Sequence, residues 1–281
     1  MKNLIYFYAI SFTAFLFSCG GLEKEIDLEL PLYESQLVVE CYLEPGEPFV
    51  LLLTKSAAYF DPIPTEDFEF VEKILEDSAV VVIQHKGITY ELPNQIYFNQ
   101  QTRKLYNYYS PELVPNDLEN DFTLKIIAKD GREVTAKTRI LPVVPIDSVV
   151  VEFNPERDSL ARVLTYVSED PNTDNYYRRM LHVGSLDTIP DQDFTTNDDF
   201  VDDGLIIFGS GYDFKEGDIV FNSIFHIDRA YFDFMESVFF AMDANGNPFG
   251  QPAAIKSNVE GDAIGIFTGL SVDRVATEVK K

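Results

Sequence analysis

Along most of the chain, apolar and polar residues alternate in short runs, and turn residues separate the runs. Alternation puts successive side chains on opposite faces, the signature of a half-buried strand. QLVVECYLE (36–44) and FVLLLTKSA (49–57) are two such runs, with the turn-forming EPGEP (44–48) between them. SAVVVIQHKGITYELP predicts a hairpin that turns at His85-Lys86-Gly87. In DFTLKIIAKDGREVTAKTRI, Phe122, Leu124 and Ile126 alternate, and Val134 and Ala136 continue on the return strand. Asp130-Gly131 predicts a two-residue type I′ turn there, since both central residues of that turn need positive φ. PIPTEDFEFVEKILED (62–77) opens on two prolines and reads as a loop. LPVVPIDSV (141–149) holds Pro142 and Pro145, which cannot donate within a sheet, so this segment crosses between elements.

The second half begins with three more strand-like runs, DSVVVEF, LARVLTYVSED and NYYRRMLHVG. An acidic, turn-rich segment without periodicity follows at 187–204. LIIFGSGYDFKEGDIVFNSIFHID predicts two strands around a turn at Lys215-Glu216-Gly217-Asp218. Then the period changes. Tyr231, Phe234, Met235, Val238 and Met242 recur every three or four residues, which predicts one amphipathic helix over 229–242 with Asp228 as its N-cap. This helix is expected to cover its own domain's sheet. SNVEGDAIGIFTGLSVDRVATEV closes the chain as strands broken by glycines. The expected fold is mainly β: an N-terminal Ig-like β-sandwich over 26–141, then a second β-rich domain over 146–281 with one amphipathic helix.

The N-terminus follows a different pattern. Lys2 is the only charge before Glu23, and LIYFYAISFTAFLF (4–17) is a 14-residue apolar stretch. A membrane-spanning helix needs about 20 apolar residues, so this stretch reads as a secretory signal over 1–18. Its end, Leu16-Phe17-Ser18-Cys19, resembles the lipobox of bacterial lipoproteins. That resemblance implies cleavage before Cys19, lipidation of its thiol and a polar tether over 19–25. Several acyl chains hold far more firmly than one, because each buried CH₂ adds about 0.8 kcal/mol. Cys41, within a strand-like run, is then left unpaired and reads as a small buried hydrophobe.

Composition narrows the class of partner. With 46% hydrophobic and 14% aromatic residues the chain can bury a core. Lysine and arginine number 22 against 47 acidic residues, a net charge of −25. That balance argues against nucleic acid, which needs a basic surface.

Few residues stand out as chemistry. His85, His182 and His226 are isolated from one another in sequence, without zinc-ligand spacing. His226, between Phe225 and Ile227, reads as a strand residue pointing away from the core. No GxSxG nucleophile elbow occurs, no pattern calls for a cofactor or metal, and an enzyme is not expected. Two segments are candidate binding surfaces. The tyrosines Tyr97, Tyr106, Tyr108 and Tyr109 form either a recognition surface or strands packing a sandwich, and exposure separates the two. The acidic segment holds Asp187, Asp191, Asp193, Asp198, Asp199, Asp202 and Asp203, either calcium ligands or a solvated loop. Asp243, Asn245 and Asn247 begin like a calcium loop, but Pro248 and Ala254 stand where glycine and glutamate are needed, so a helix-ending turn is the better reading.

The order of these segments resembles the DUF4249 family of Bacteroidetes lipoproteins. The residues that carry the likeness are EKEIDLELPLYESQLVVECYLEPGEP, FTLKIIAKDGREVTAKTRILPVVPIDSV, EGDIVFNSIFHID with YFDFMES, and NPFGQPAAIKSNVEGDAIGIFTG. The resemblance implies a mainly β protein held to outer-membrane lipid through Cys19. It also implies a non-catalytic accessory or substrate-capturing role beside a TonB-dependent outer-membrane barrel. A free-standing surface protein that binds a glycan or a host is the alternative.

Overall fold

The computed structural model describes residues 35–56, 73–100, 103–199, 201, 204–244 and 254–281. The signal and Cys19, the tether, most of the 62–77 loop, Asp202, Asp203 and the turn after Ala244 lie outside the described residues.

Seventeen strands among the described residues form four sheets. The first eight are β1 (Leu37–Leu43), β2 (Pro48–Lys55), β3 (Val80–His85), β4 (Ile88–Leu92), β5 (Asn94–Asn99), β6 (Lys104–Leu113), β7 (Phe122–Ile127) and β8 (Glu133–Thr138). Next come β9 (Ser148–Phe153), β10 (Ala161–Ser168), β11 (Tyr176–Val183), β12 (Gln192–Asn197), β13 (Leu205–Gly209) and β14 (Ile219–Ile227). The helix α1 (Arg229–Ala244) precedes β15 (Val259–Gly261), β16 (Ala263–Gly269) and β17 (Ser271–Glu278).

The first sandwich faces a sheet of order β16-β1-β2-β6-β5 against one of order β15-β8-β7-β3-β4. Its interior is one apolar cluster that includes Leu37, Val39, Leu51, Leu53, Phe122, Leu124 and Phe267. Cys41 lies in this cluster as an uncharged filler, because burial pushes its thiol far up. The second sandwich faces β13-β10-β9 against β12-β11-β14-β17.

The boundary expected at 141–146 is not a clean cut. β15 pairs with β8, and β16 lies parallel to β1 from Leu37↔Ala263 to Leu43↔Gly269, so the chain returns to complete both sheets of the first sandwich. β17 then rejoins the second sandwich beside β14. Gly265 makes the parallel pairing possible. It sits at φ +138°, and a Cβ there would lie 2.0 Å from the carbonyl oxygen of Val39.

The two hairpins divide their turn types differently from expectation. The β3–β4 turn is the two-residue one, with Lys86 at φ 49° and Gly87 at φ 78°. At β7–β8 only Gly131 is left-handed; its N–H bonds Ala128 O at 3.0 Å, and Ala128 N–H bonds Arg132 O at 2.9 Å. That is a three-residue loop closed by a glycine, not a type I′ turn. The acidic segment also departs from expectation, since it contains edge strand β12, paired with β11. β13 and β14 lie in different sheets, so the turn at 215–218 joins the two layers rather than a hairpin.

α1 starts where expected: Asp228 Oδ1 accepts the Tyr231 N–H at 2.7 Å. It packs on both sandwiches rather than on its own sheet alone. Tyr231 and Phe234 join Ile266 and Tyr42 of the first and Phe225, Met180 and Val272 of the second. Met242, expected on the buried stripe, is exposed.

Candidate functional site: an apolar outer face on the second sandwich

The tyrosine cluster does not make an exposed surface. Tyr106 and Tyr108 are buried, and the Tyr108 hydroxyl bonds Glu76 O at 2.8 Å and receives the Ala79 N–H at 2.9 Å. Tyr109 stays half-buried and stacks on Tyr97 with ring centroids 4.7 Å apart.

The acidic segment is tied up by its own chain. Asp193 takes a two-pronged bond from Arg178, Nε at 2.7 Å and Nη2 at 2.6 Å, while Arg178 Nη1 bonds the Tyr231 hydroxyl. This links β12 to α1 through β11. Asp198 accepts the Asn175 N–H at 2.8 Å, and Asp199 accepts from Asn197 Nδ2 at 2.7 Å. Among the described residues no group of three or more acidic, cysteine or histidine side chains is arranged to hold a metal ion.

His85 lines a shallow cleft of about 650 Å³ with Lys86, Ile88, Tyr90, Asp117 and Leu118. Its polar floor is already engaged. Asp117 takes Lys86 Nζ at 2.9 Å, His85 Nε2 at 3.2 Å and the Glu119 N–H at 2.9 Å. The hydrogen bond from Lys86 leads in holding the Asp117 carboxyl well below the usual range. The cluster clasps the β3–β4 turn to the 115–121 loop.

His226 points inward, not outward as its neighbours suggested. It stacks on Tyr177, and its Nδ1 lies 2.8 Å from Pro142 O. Direct opposition to Tyr177 across the β11–β14 pairing puts both on the interior face. Ser271 Oγ on Leu141 O and the Ile146 N–H on Asp273 Oδ2 (2.7 Å) pin the same crossover segment.

An apolar outer surface lies on the three-stranded sheet. Antiparallel sheets with one solvated face place polar residues outward. Here Leu164 stands opposite Val150 of β9 and Gly209 of β13, and Tyr166 stands opposite Ile207. Directly opposite residues share a face, and these face out. Val150 is 39% exposed, Ile207 51% and Leu205 39%. Leu164 leans over Gly209, its Cδ2 3.5 Å from the place a Cβ would take there. One end of the face is polar, with Arg162 Nη2 2.6 Å from Glu152 and its guanidinium over the Tyr212 ring.

Behind this face one polar rung interrupts the apolar interior. Thr165 takes the inward place between Val163 and Val167, Arg179 that between Tyr177 and Leu181, and Asn222 that between Val220 and Ile224. This polar rung splits the interior into two apolar clusters. Both features have a sequence signal that a reading by strand signature alone passes over. In ARVLTYVS the wrong-parity residues are Leu and Tyr, and in YYRRMLHV and IVFNSIF one polar residue interrupts an inward series.

No helix among the described residues is long and apolar enough to cross a membrane. A search of curated proteins returns no match. The family model described as a domain of unknown function, DUF4249, matches residues 23–275. That span takes in both sandwiches and the shared helix, and the chain belongs to the DUF4249 family.

Proposed function

We propose that the protein is an outer-membrane lipoprotein, anchored through Cys19, that works without chemistry of its own as an accessory or substrate-capturing subunit of a TonB-dependent transporter. The observation that supports it best is the apolar outer face of β9, β10 and β13. Contiguous exposed apolar patches mark interaction sites. Asp147, Glu169 and Asp170 lie at the ends of these strands, and the chain carries −25 overall. The complementary partner is therefore a protein surface with an apolar centre and a rim of lysine and arginine. A free-standing glycan- or host-binding protein is the second reading.

The test is co-purification. The tagged lipoprotein is extracted from outer membranes in mild detergent, and its companions are identified. A stoichiometric TonB-dependent barrel that is lost on Cys19→Ala is the expected result. Recovery of the lipoprotein alone, with lipidation intact, contradicts the accessory role and leaves the glycan- or host-binding reading.

A further inference from the structure

α1 outruns the protein that covers it. Its buried residues are Tyr231, Phe234 and Ser237, and the helix has none after them. A helix that has left its platform is expected to turn polar all round. α1 does the reverse and ends Phe239-Phe240-Ala241-Met242-Asp243-Ala244. Phe239 is 43% exposed, Phe240 65% and Met242 67%. Phe239 and Met242 stand one turn apart on the same side, with Phe240 beside them.

Hydrogen bonds fix where this tip lies. Asp228 Oδ2 accepts from Thr268 Oγ1 at 3.3 Å, near the end of β16 that pairs with Leu43. Further along, Ser237 Oγ accepts the Lys256 N–H at 2.9 Å, and the adjoining Ser257 Oγ accepts the Gly265 N–H at 3.1 Å. α1 therefore runs back along β16, against its direction. Seven more residues, each rising about 1.5 Å, carry it roughly 10 Å past Ser237. Its last turn thus comes level with Ala263, opposite Leu37. This is the end of the first sandwich from which the chain leads back through Ser35 to Cys19.

Fifteen residues, 20–34, lie between Cys19 and Ser35 and reach at most about 50 Å. A tether of that length keeps an anchored domain at high effective concentration beside the bilayer, so a weak apolar contact is enough to orient it. Asp130, Glu133, Glu260 and Asp262 lie at the same end of the sandwich and repel anionic headgroups. With 16 residues, α1 is shorter than the about 20 that span a bilayer, so it can rest in the interface but not cross it.

We propose, resting on the Cys19 anchor, that Phe239, Phe240 and Met242 at the tip of α1 seat in the surface of a neutral, zwitterionic bilayer and set the orientation of the anchored protein.

The test uses the lipidated full chain in phosphatidylcholine vesicles, plain or brominated on the acyl chains close to the headgroup. The chain has no tryptophan, so Phe240→Trp supplies a single reporter of similar shape. Bromine quenches only an indole that enters the bilayer. Phe240→Trp is expected to lose most of its emission in the brominated vesicles. Ile189→Trp is the control and is expected to lose none. Ile189 is 78% exposed and follows Val183, at the end of β11 remote from Asp228. Flotation with the vesicles reads the anchor separately. A chain that does not float has no anchor, which sinks the lipoprotein reading and the seating with it. A chain that floats with Phe240→Trp unquenched overturns the seating alone: red emission then shows the tip in water, and blue emission shows it covered by protein or by a second copy. Equal quenching of Phe240→Trp and Ile189→Trp would overturn it too.

Discussion

The two sandwiches are built from similar strands and differ in what stands at the centre of their interiors. In the first, every inward place of β1 is apolar, Leu37, Val39, Cys41 and Leu43, and the outward places carry Val38, Glu40 and Tyr42. In the second, the central strand β10 turns Thr165 inward and Leu164 and Tyr166 outward. Strand signature alone does not separate these cases, because both alternate. The first arrangement contributes stability in the ordinary way, by apolar burial. The second gives up part of that burial at its centre and leaves apolar area in water outside. Such a departure from local consistency is where function is to be sought.

Substitutions break this comparison to different degrees. Phe267→Ala opens the undivided core of the first sandwich and is expected to cost about 3–5 kcal/mol in chemical denaturation. Gly265→Ala should come next, at about 3 kcal/mol, because the added methyl collides with Val39 O at a φ that L-residues rarely adopt. A smaller loss there would mean that the β1–β16 pairing yields easily.

Acid separates the halves by protonation. Burial lowers the proton affinity of His182 and His226, both in the second sandwich, below the usual 6.5. A depressed pKa means that the unfolded chain binds more protons, so stability is full above pH 6.5 and falls as the pH drops below it. Asp117 of the first sandwich, held below the usual 3.8, contributes stability that is lost only further down the scale. Comparing the wild type with His226→Gln across this range checks the point. The difference between the two should shrink as the pH falls below 6.5, and a pH-independent difference would contradict it.

The smallest effect on stability is expected from Ile207→Glu. The side chain is 51% exposed, and surface substitutions of this kind usually fall within about 0.5 kcal/mol. Its effect on association should be the largest of all.

Much of the architecture was legible from local pattern. The strand runs, the Lys86-Gly87 turn and the Asp228 cap depend on neighbouring residues, and the sequence states them directly. The return of β15 and β16 to the first sandwich was not legible, because parallel pairing across most of the chain leaves no local mark. The Asp130-Gly131 turn misled for a related reason. Asp-Gly suits two loop lengths, and strand register decides between them. The candidate sites fared worst. Abundance singled out the tyrosines and aspartates, yet Tyr108 packs the core and Asp193 braces α1 through Arg178. The face that stands out is marked by apolar residues at the wrong parity, a signal that appears only once the inward side of each strand is known.

If the outer face of β9, β10 and β13 docks the partner, a single charge placed on that face should abolish co-purification. The tagged wild type, Ile207→Glu and, as a control on the first sandwich, Ile96→Glu are extracted from outer membranes side by side. A TonB-dependent barrel should accompany the wild type and Ile96→Glu and be missing from a folded Ile207→Glu. A barrel that stays with Ile207→Glu, or leaves only with Ile96→Glu, would contradict the account.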